Sequence, residues 1–154
     1  MTEIVVGIDG SAESHRALRW ALAQARCYDA QVEVIHVYSY TLPDVPDSAV
    51  GRPELVDEVI AAAERRAGRV VEEAIAAAGE LAHDVEVAPN VIRGREPAEH
   101  ILRAAEDAHL LVVGSRGVGG FARLLLGSVS KKCLDHARCT VMVVRGEPPR
   151  SVHP

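Results

Sequence analysis

Short apolar runs rich in β-branched residues alternate along this chain with longer stretches of helical period, and no other feature constrains the fold as strongly. Runs such as Ile4-Val5-Val6 and Leu110-Leu111-Val112-Val113 are apolar at every position, which suits strands covered on both faces. Helices between them make successive strands parallel, so the pattern predicts a βαβ build. Five strands are expected, over 4–8, 31–38, 84–92, 110–113 and 140–145. A helix capped by Ser11 should run to about Tyr28 with Leu18, Leu22 and Ala25 on one face. A second, over 54–78, should turn Leu55, Val59, Ala63, Val70, Ala74 and Ala78 inward. Pro97 should open a third helix reaching about Asp107, and a fourth should span 128–136. Between 39 and 53, Pro43, Pro46 and Pro53 mark a long loop that could lie over a site.

Pro89 falls within the third run and has no N–H for a ladder bond, which places that strand at a sheet edge. The order 3-2-1-4-5 satisfies this and makes strands 1 and 4 neighbours whose helices leave to opposite faces. Ligands of such open sheets bind in the crevice at the carboxyl ends of those two strands. Asp9 closes strand 1 and Gly114 closes strand 4, so both should line it.

The segment leaving strand 4 is Gly114-Ser115-Arg116-Gly117, followed after nine residues by Gly127-Ser128-Val129-Ser130. Glycines let backbone N–H groups approach an anion without an intervening Cβ, and the N–H groups opening a helix carry partial positive charge. No acidic residue lies between Asp107 and Asp135, whereas Arg116, Arg123, Lys131 and Lys132 all do. For Arg116 and Arg123, steering of phosphate and a solvated loop surface are both open. Lys131 and Lys132 read as surface residues.

The net charge of −5 argues against nucleic acid or an anionic membrane as a partner, since both call for a basic face. A small anion held locally is compatible with it. A chain of 154 residues, 48% of them apolar, can bury an ordinary core as one domain, expected over 1–146 with a loose tail at 147–154. Three cysteines form no even framework and no C-x-x-C pair, and no leader or long apolar run is evident. A cytoplasmic protein is the expectation.

The phosphate segment fits G-x2-G-x9-G-[ST] with Gly114, Gly117, Gly127 and Ser128. Val6-Gly7-Ile8-Asp9-Gly10-Ser11, His36-Val37, the Arg93-Gly94 to Pro97 turn and Val141-Met142-Val143-Val144 accompany it. On these residues the chain resembles the universal stress proteins, in their ATP-binding branch, over nearly its whole length. The resemblance implies a Rossmann-like fold of the adenine nucleotide alpha-hydrolase type. It also implies that Asp9 and the Val37 backbone, with Gly7 beside them, face adenine and ribose. Val113 and Gly114 would flank the nucleoside, Gly117 would meet ribose or phosphate, and Gly127, Ser128, Val129 and Ser130 would hold phosphates. Ser128 could equally cap the helix, and Asp9 could be a turn or capping aspartate. A carboxylate beside a triphosphate calls for a cation, so Mg²⁺ is a candidate companion of ATP, although no protein ligand set would hold it alone.

The expected function is an ATP-binding regulator of the stress response with little turnover and an unidentified downstream partner. The loop lacks G-x4-G-K-[ST], so no Walker lysine reaches the transferring phosphate. Two alternatives are a module for AMP or a cyclic nucleotide, and an ATP-hydrolysing or adenylating enzyme. Against the enzyme, the position of an S-G-G-x-D-S loop reads Asp9-Gly10-Ser11-Ala12-Glu13-Ser14. Cys133, His136 and Cys139 resemble a metal cluster only superficially, since Cys139 falls beyond the helix, and His36 reads as a hydrogen-bonded core histidine. The last strand carries no proline, so the open edge of Val141, Met142, Val143 and Val144 invites the same strand of a second copy, giving a homodimer. The alternative there is a tail that covers this edge.

Overall fold

The computed structural model describes residues 2–39, 47–49, 51–118 and 125–147. Five parallel strands form one sheet in the order β3-β2-β1-β4-β5. They are β1 (Thr2–Ile8), β2 (Ala30–Tyr38), β3 (Val87–Arg93), β4 (Leu110–Gly114) and β5 (Thr140–Val144), separated by α1 (Ala12–Tyr28), α2 (Pro53–Ala78), α3 (Pro97–Ala104) and α4 (Ser128–His136). The expected order is therefore observed, with Pro89 on the edge strand opposite Val34.

Successive residues of a strand point to opposite faces, and both faces here are covered. Ile4, Val6 and Ile8 of β1 pack with Leu18 and Leu22 of α1 and Val71 of α2. Val5 packs on the other side with Ile101 of α3, Leu111 and Val113 of β4 and Cys133 of α4. Leu18, Leu22 and Leu111 are fully buried, and truncation of such a leucine to alanine costs about 2–5 kcal/mol.

Three local features differ from expectation. The buried residues of α2 are Ala67, Val71, Ala74 and Ala78, and half-buried Val70 packs against the same core, while Leu55, Val59 and Ala63 nearer the helix start are only half-buried. Its 26 residues make it about 39 Å long against about 30 Å for the nine residues of β2, so its first turns overhang the sheet. The third strand starts at Val87, because a 3-10 turn at Gly79–Ala82 and the bend after it use up the preceding residues. Helix α3 ends at Ala104, where the chain turns so that His109 N–H can donate to Glu3 O at 2.9 Å and enter β4. Of the expected 39–53 loop, residues 47–49 form a 3-10 turn and residues 40–46 and 50 lie outside the described residues.

Parallel pairing aligns the strand ends: Ile8 lies beside His36, and Gly114 beside Val144. His36 is buried, and its Nδ1 donates to Ile8 O at 2.9 Å, tying β2 to β1 where both strands finish. Glu147, at the start of the expected tail, is ion-paired to Arg16 and Arg19 of α1, and Trp20 Nε1 donates to Gly146 O at 2.9 Å. The described part of that segment thus runs onto α1 rather than along the outer edge of β5. Arg123 and residues 148–154 lie outside the described residues.

Candidate functional site

Where β1 and β4 end, their helices diverge to opposite faces and leave a cavity of about 400 Å³. Its apolar wall includes Ile8, Val37, Pro97, Ile101 and Val113. The opposite wall is the glycine loop after β4 and the first turn of α4. A flat heteroaromatic ring suits the first wall and an anion the second.

The anion side follows from how α4 begins. Lys131 N–H donates the first helical bond, to Gly127 O at 3.0 Å. The N–H groups of Ser128, Val129 and Ser130 precede it and have no acceptor within the helix. No acidic residue occupies that turn. Gly127 is the capping residue, in place of Ser128, and no side chain caps the helix. Ser128 is exposed at the first helical position, and Ser130 Oγ donates to Gly114 O at 2.5 Å, tying α4 to the end of β4.

The glycines have distinct causes. A Cβ on Gly114 would come within 3.0 Å of the Glu13 backbone, so this glycine lets α1 approach β4. On Gly7 it would meet Ile101 Cδ1 at 2.7 Å, and on Gly117 it would collide with Asp9 Oδ2. Gly127 differs. Its backbone is extended, at φ −74° and ψ 166°, and a Cβ would make only ordinary contact, 3.4 Å from Arg116 Cα. Nothing within the described chain calls for glycine there, whereas a phosphate approaching the amides beside it would.

Asp9 holds the two halves of the site together. Its Oδ1 accepts Ser11 N–H at 2.9 Å within the β1–α1 turn, where Gly10 has a φ of +83°. Its Oδ2 accepts Val118 N–H at 2.8 Å from the glycine loop. Burial raises the carboxyl's pKa, but hydrogen bonds from Ser11, Val118 and Ser14 outweigh it and hold the group below its ordinary 3.8. Asp9 is the one carboxylate among the described lining residues, and each of its oxygens already accepts an N–H. That donor set does not fit a cation held by protein alone.

All ten residues singled out for this site line the cavity: Gly7, Asp9, Val37, Val113, Gly114, Gly117, Gly127, Ser128, Val129 and Ser130. Ile8, Ser14, Pro97, Ile101, Arg116 and Val118 join them, and of these only Arg116 is read from the sequence as a possible ligand contact. Lys131 and Lys132 pair outward with Asp135 and Glu96, each at 2.8 Å. Burial, with Cys139 nearby, pushes the Cys133 thiol up to about 11, while His136 is exposed. Among the described residues no three His, Cys, Asp or Glu side chains are placed to hold a metal ion, and no helix is long and apolar enough to cross a membrane.

The sequence profile of the Universal stress protein family matches residues 1–145. The chain belongs to this family. A universal stress protein of Thermus aquaticus is 38% identical over 144 residues, which are 92% of this chain and 97% of that protein. One from Mycolicibacterium smegmatis is 33% identical over 147 residues, but the chain spans about half of it, 48%. Among solved structures, a universal stress protein in complex with cAMP is 27% identical and superposes with a TM-score of 0.57, covering 93% of this chain and 95% of that one. In this universal stress protein Gly114 ends β4 and Ser128 opens α4, with Gly117 and Gly127 between them.

Proposed function

We propose that this universal stress protein binds ATP in the cavity between β1 and β4 and acts as a nucleotide-dependent regulator of the stress response with little turnover. The observation that carries the reading is the set of three N–H groups without a helical acceptor, at Ser128, Val129 and Ser130, in the lining of a cavity that also has an apolar wall. Adenine lies on the Ile8, Val37 and Val113 side, and the phosphates lie at the start of α4, on backbone amides and the Ser128 hydroxyl. Mg²⁺ enters as the companion of the ATP phosphates rather than as an ion held by the chain. Low turnover is supported by the lining: its described part contains no lysine, and Asp9 is engaged by two N–H groups and poorly placed as a base. A cytoplasmic setting accords with three free cysteines.

A second reading, AMP or a cyclic nucleotide as the regular occupant, has a specific observation in its favour: the relative solved with cAMP. One experiment separates the readings. The purified chain is denatured, the released nucleotide identified by mass spectrometry, and turnover measured on added ATP. ATP released with turnover below about one per minute supports the switch. A cyclic nucleotide supports the second reading, and turnover near the roughly 10 per second of ordinary enzymes removes both.

The same reading makes the chain a homodimer through β5, whose outer edge is unpaired among the described residues and whose Val141, Met142 and Val143 are half-buried. Val144 is buried on the α1 side and anchors the strand from within. Replacing Val141 and Val143 with lysine should halve the mass measured by light scattering; an unchanged mass would remove this interface.

A further inference from the structure

Of the four cations in the acid-free stretch, Lys131 and Lys132 turn outward, and Arg123 lies outside the described residues. Arg116 lines the cavity. Its backbone adjoins Gly127, the residue that caps α4, while its guanidinium reaches the opposite side of the crevice, with Nη2 3.9 Å from Glu13 Oε1 in the first turn of α1. That separation is at the limit of an ion pair, and both side chains are partly exposed, so the hold on Arg116 is weak. Glu13 also has a second partner, Arg16 Nη1 at 3.7 Å, and Arg16 in turn meets Glu147 at 3.3 Å. Charges thus alternate from the cavity outward: Arg116, Glu13, Arg16, Glu147, Arg19.

We infer that Arg116 senses the length of the phosphate chain, and that Glu13 sets the threshold by holding Arg116 back. The inference rests on the nucleotide reading above. A single phosphate on the amides of α4 is satisfied without Arg116. A chain of two or three phosphates extends from α4 toward the first turn of α1, where the guanidinium already stands. Arg116 then exchanges a weak, partly solvated carboxylate contact for a charge-assisted one to phosphate. Glu13 is not left alone by the exchange, because Arg16 retains it. With Arg116 drawn away, an uncompensated Glu13 would repel the same phosphates, so Arg16 is the side chain that makes the exchange favourable. The ligand class selected is a nucleoside di- or triphosphate over a monophosphate or a cyclic monophosphate.

Calorimetric titration of the full chain with ATP and with AMP tests this in wild type, Arg116→Gln and Glu13→Gln. Arg116→Gln should weaken ATP about tenfold to a hundredfold and AMP less than about threefold, with Arg116→Lys between wild type and Gln. Glu13→Gln should tighten ATP and leave AMP unchanged. A merely structural role for Arg116 would weaken both nucleotides alike, which would overturn the inference, as would an ATP affinity unmoved by Arg116→Gln. Glu13→Gln gives a readout independent of how well the arginine variants fold, and weaker ATP binding there counts against the inference. Wild type binding neither nucleotide would refute the underlying site reading and the inference together, whereas binding of both without an effect of Arg116 refutes the inference alone.

Discussion

Two hollows of similar size lie at opposite ends of the sheet, about 400 Å³ at the carboxyl end and about 300 Å³ at the amino end. The second is lined by Arg26, Asp29, Asp84 and Glu86, with Arg26 3.5 Å from Asp84. Helix α1 finishes there, on Asp29 in the left-handed region at φ 50°, so its last carbonyls face the same end. At the carboxyl end α1 and α4 begin, and three N–H groups have no helical acceptor. A parallel sheet with returning helices always separates helix starts from helix ends in this way. The side chains point the same way: the amino end sets three carboxylates against Arg26, while the carboxyl end sets Arg116 beside the amides and the one carboxylate among its described lining residues, Asp9, already accepts two N–H groups. Size alone would not distinguish these hollows as anion sites; the direction of the helices does.

The contrast is broken most severely by Gly127→Glu. A Cβ is accommodated at that position, so the variant should fold, but its carboxylate enters the phosphate cradle. ATP affinity should fall at least about a hundredfold, the scale of losing a charge-assisted contact and adding repulsion. Unchanged affinity in calorimetry would place the phosphates elsewhere.

A smaller effect is expected of Asp9→Ala, which unfastens the glycine loop from β1. Loss of the bonds from Ser11 and Val118 should cost about 1–2 kcal/mol in urea unfolding. The pH dependence sharpens this. Because the folded-state pKa of Asp9 lies below its ordinary 3.8, its contribution is present above that value and lost as pH falls through the folded-state value. The gap between wild type and Asp9→Ala should therefore close in strong acid. A gap that is constant across the acid range would show that the carboxylate's ionised form is not what fastens the loop.

Much of this asymmetry was legible beforehand, because it depends on features with short-range signatures. Pro89 located the edge strand, the fully apolar runs located the central strands, and the glycine spacing located the strand-to-helix junction. The remaining lining residues depend on assembly. Pro97 and Ile101 reach the cavity because α3 packs across β1, where Gly7 leaves room for Ile101. The contact of Arg116 with Glu13 joins residues far apart in the chain and carries no local pattern. Of the inward stripe expected on α2, Val70, Ala74 and Ala78 meet the core whereas Leu55, Val59 and Ala63 are only half-buried, for a geometric reason: apolar periodicity marks the side facing the sheet but not where the sheet stops. Ser128, a good capping residue by type, lies one position inside the helix because Gly127, held by its N–H to Ser115 O at 2.7 Å, takes the cap.

The central claim, an adenine nucleotide with its phosphates on the first amides of α4, is tested most directly by following backbone amide resonances during titration of the full chain with ATP. The account predicts large shifts for Ser128, Val129 and Ser130, smaller ones for Gly117 and Val118, and none at Asp29, Asp84 or Glu86. Shifts confined to the amino end, or none at the start of α4 at saturating ATP, would contradict it.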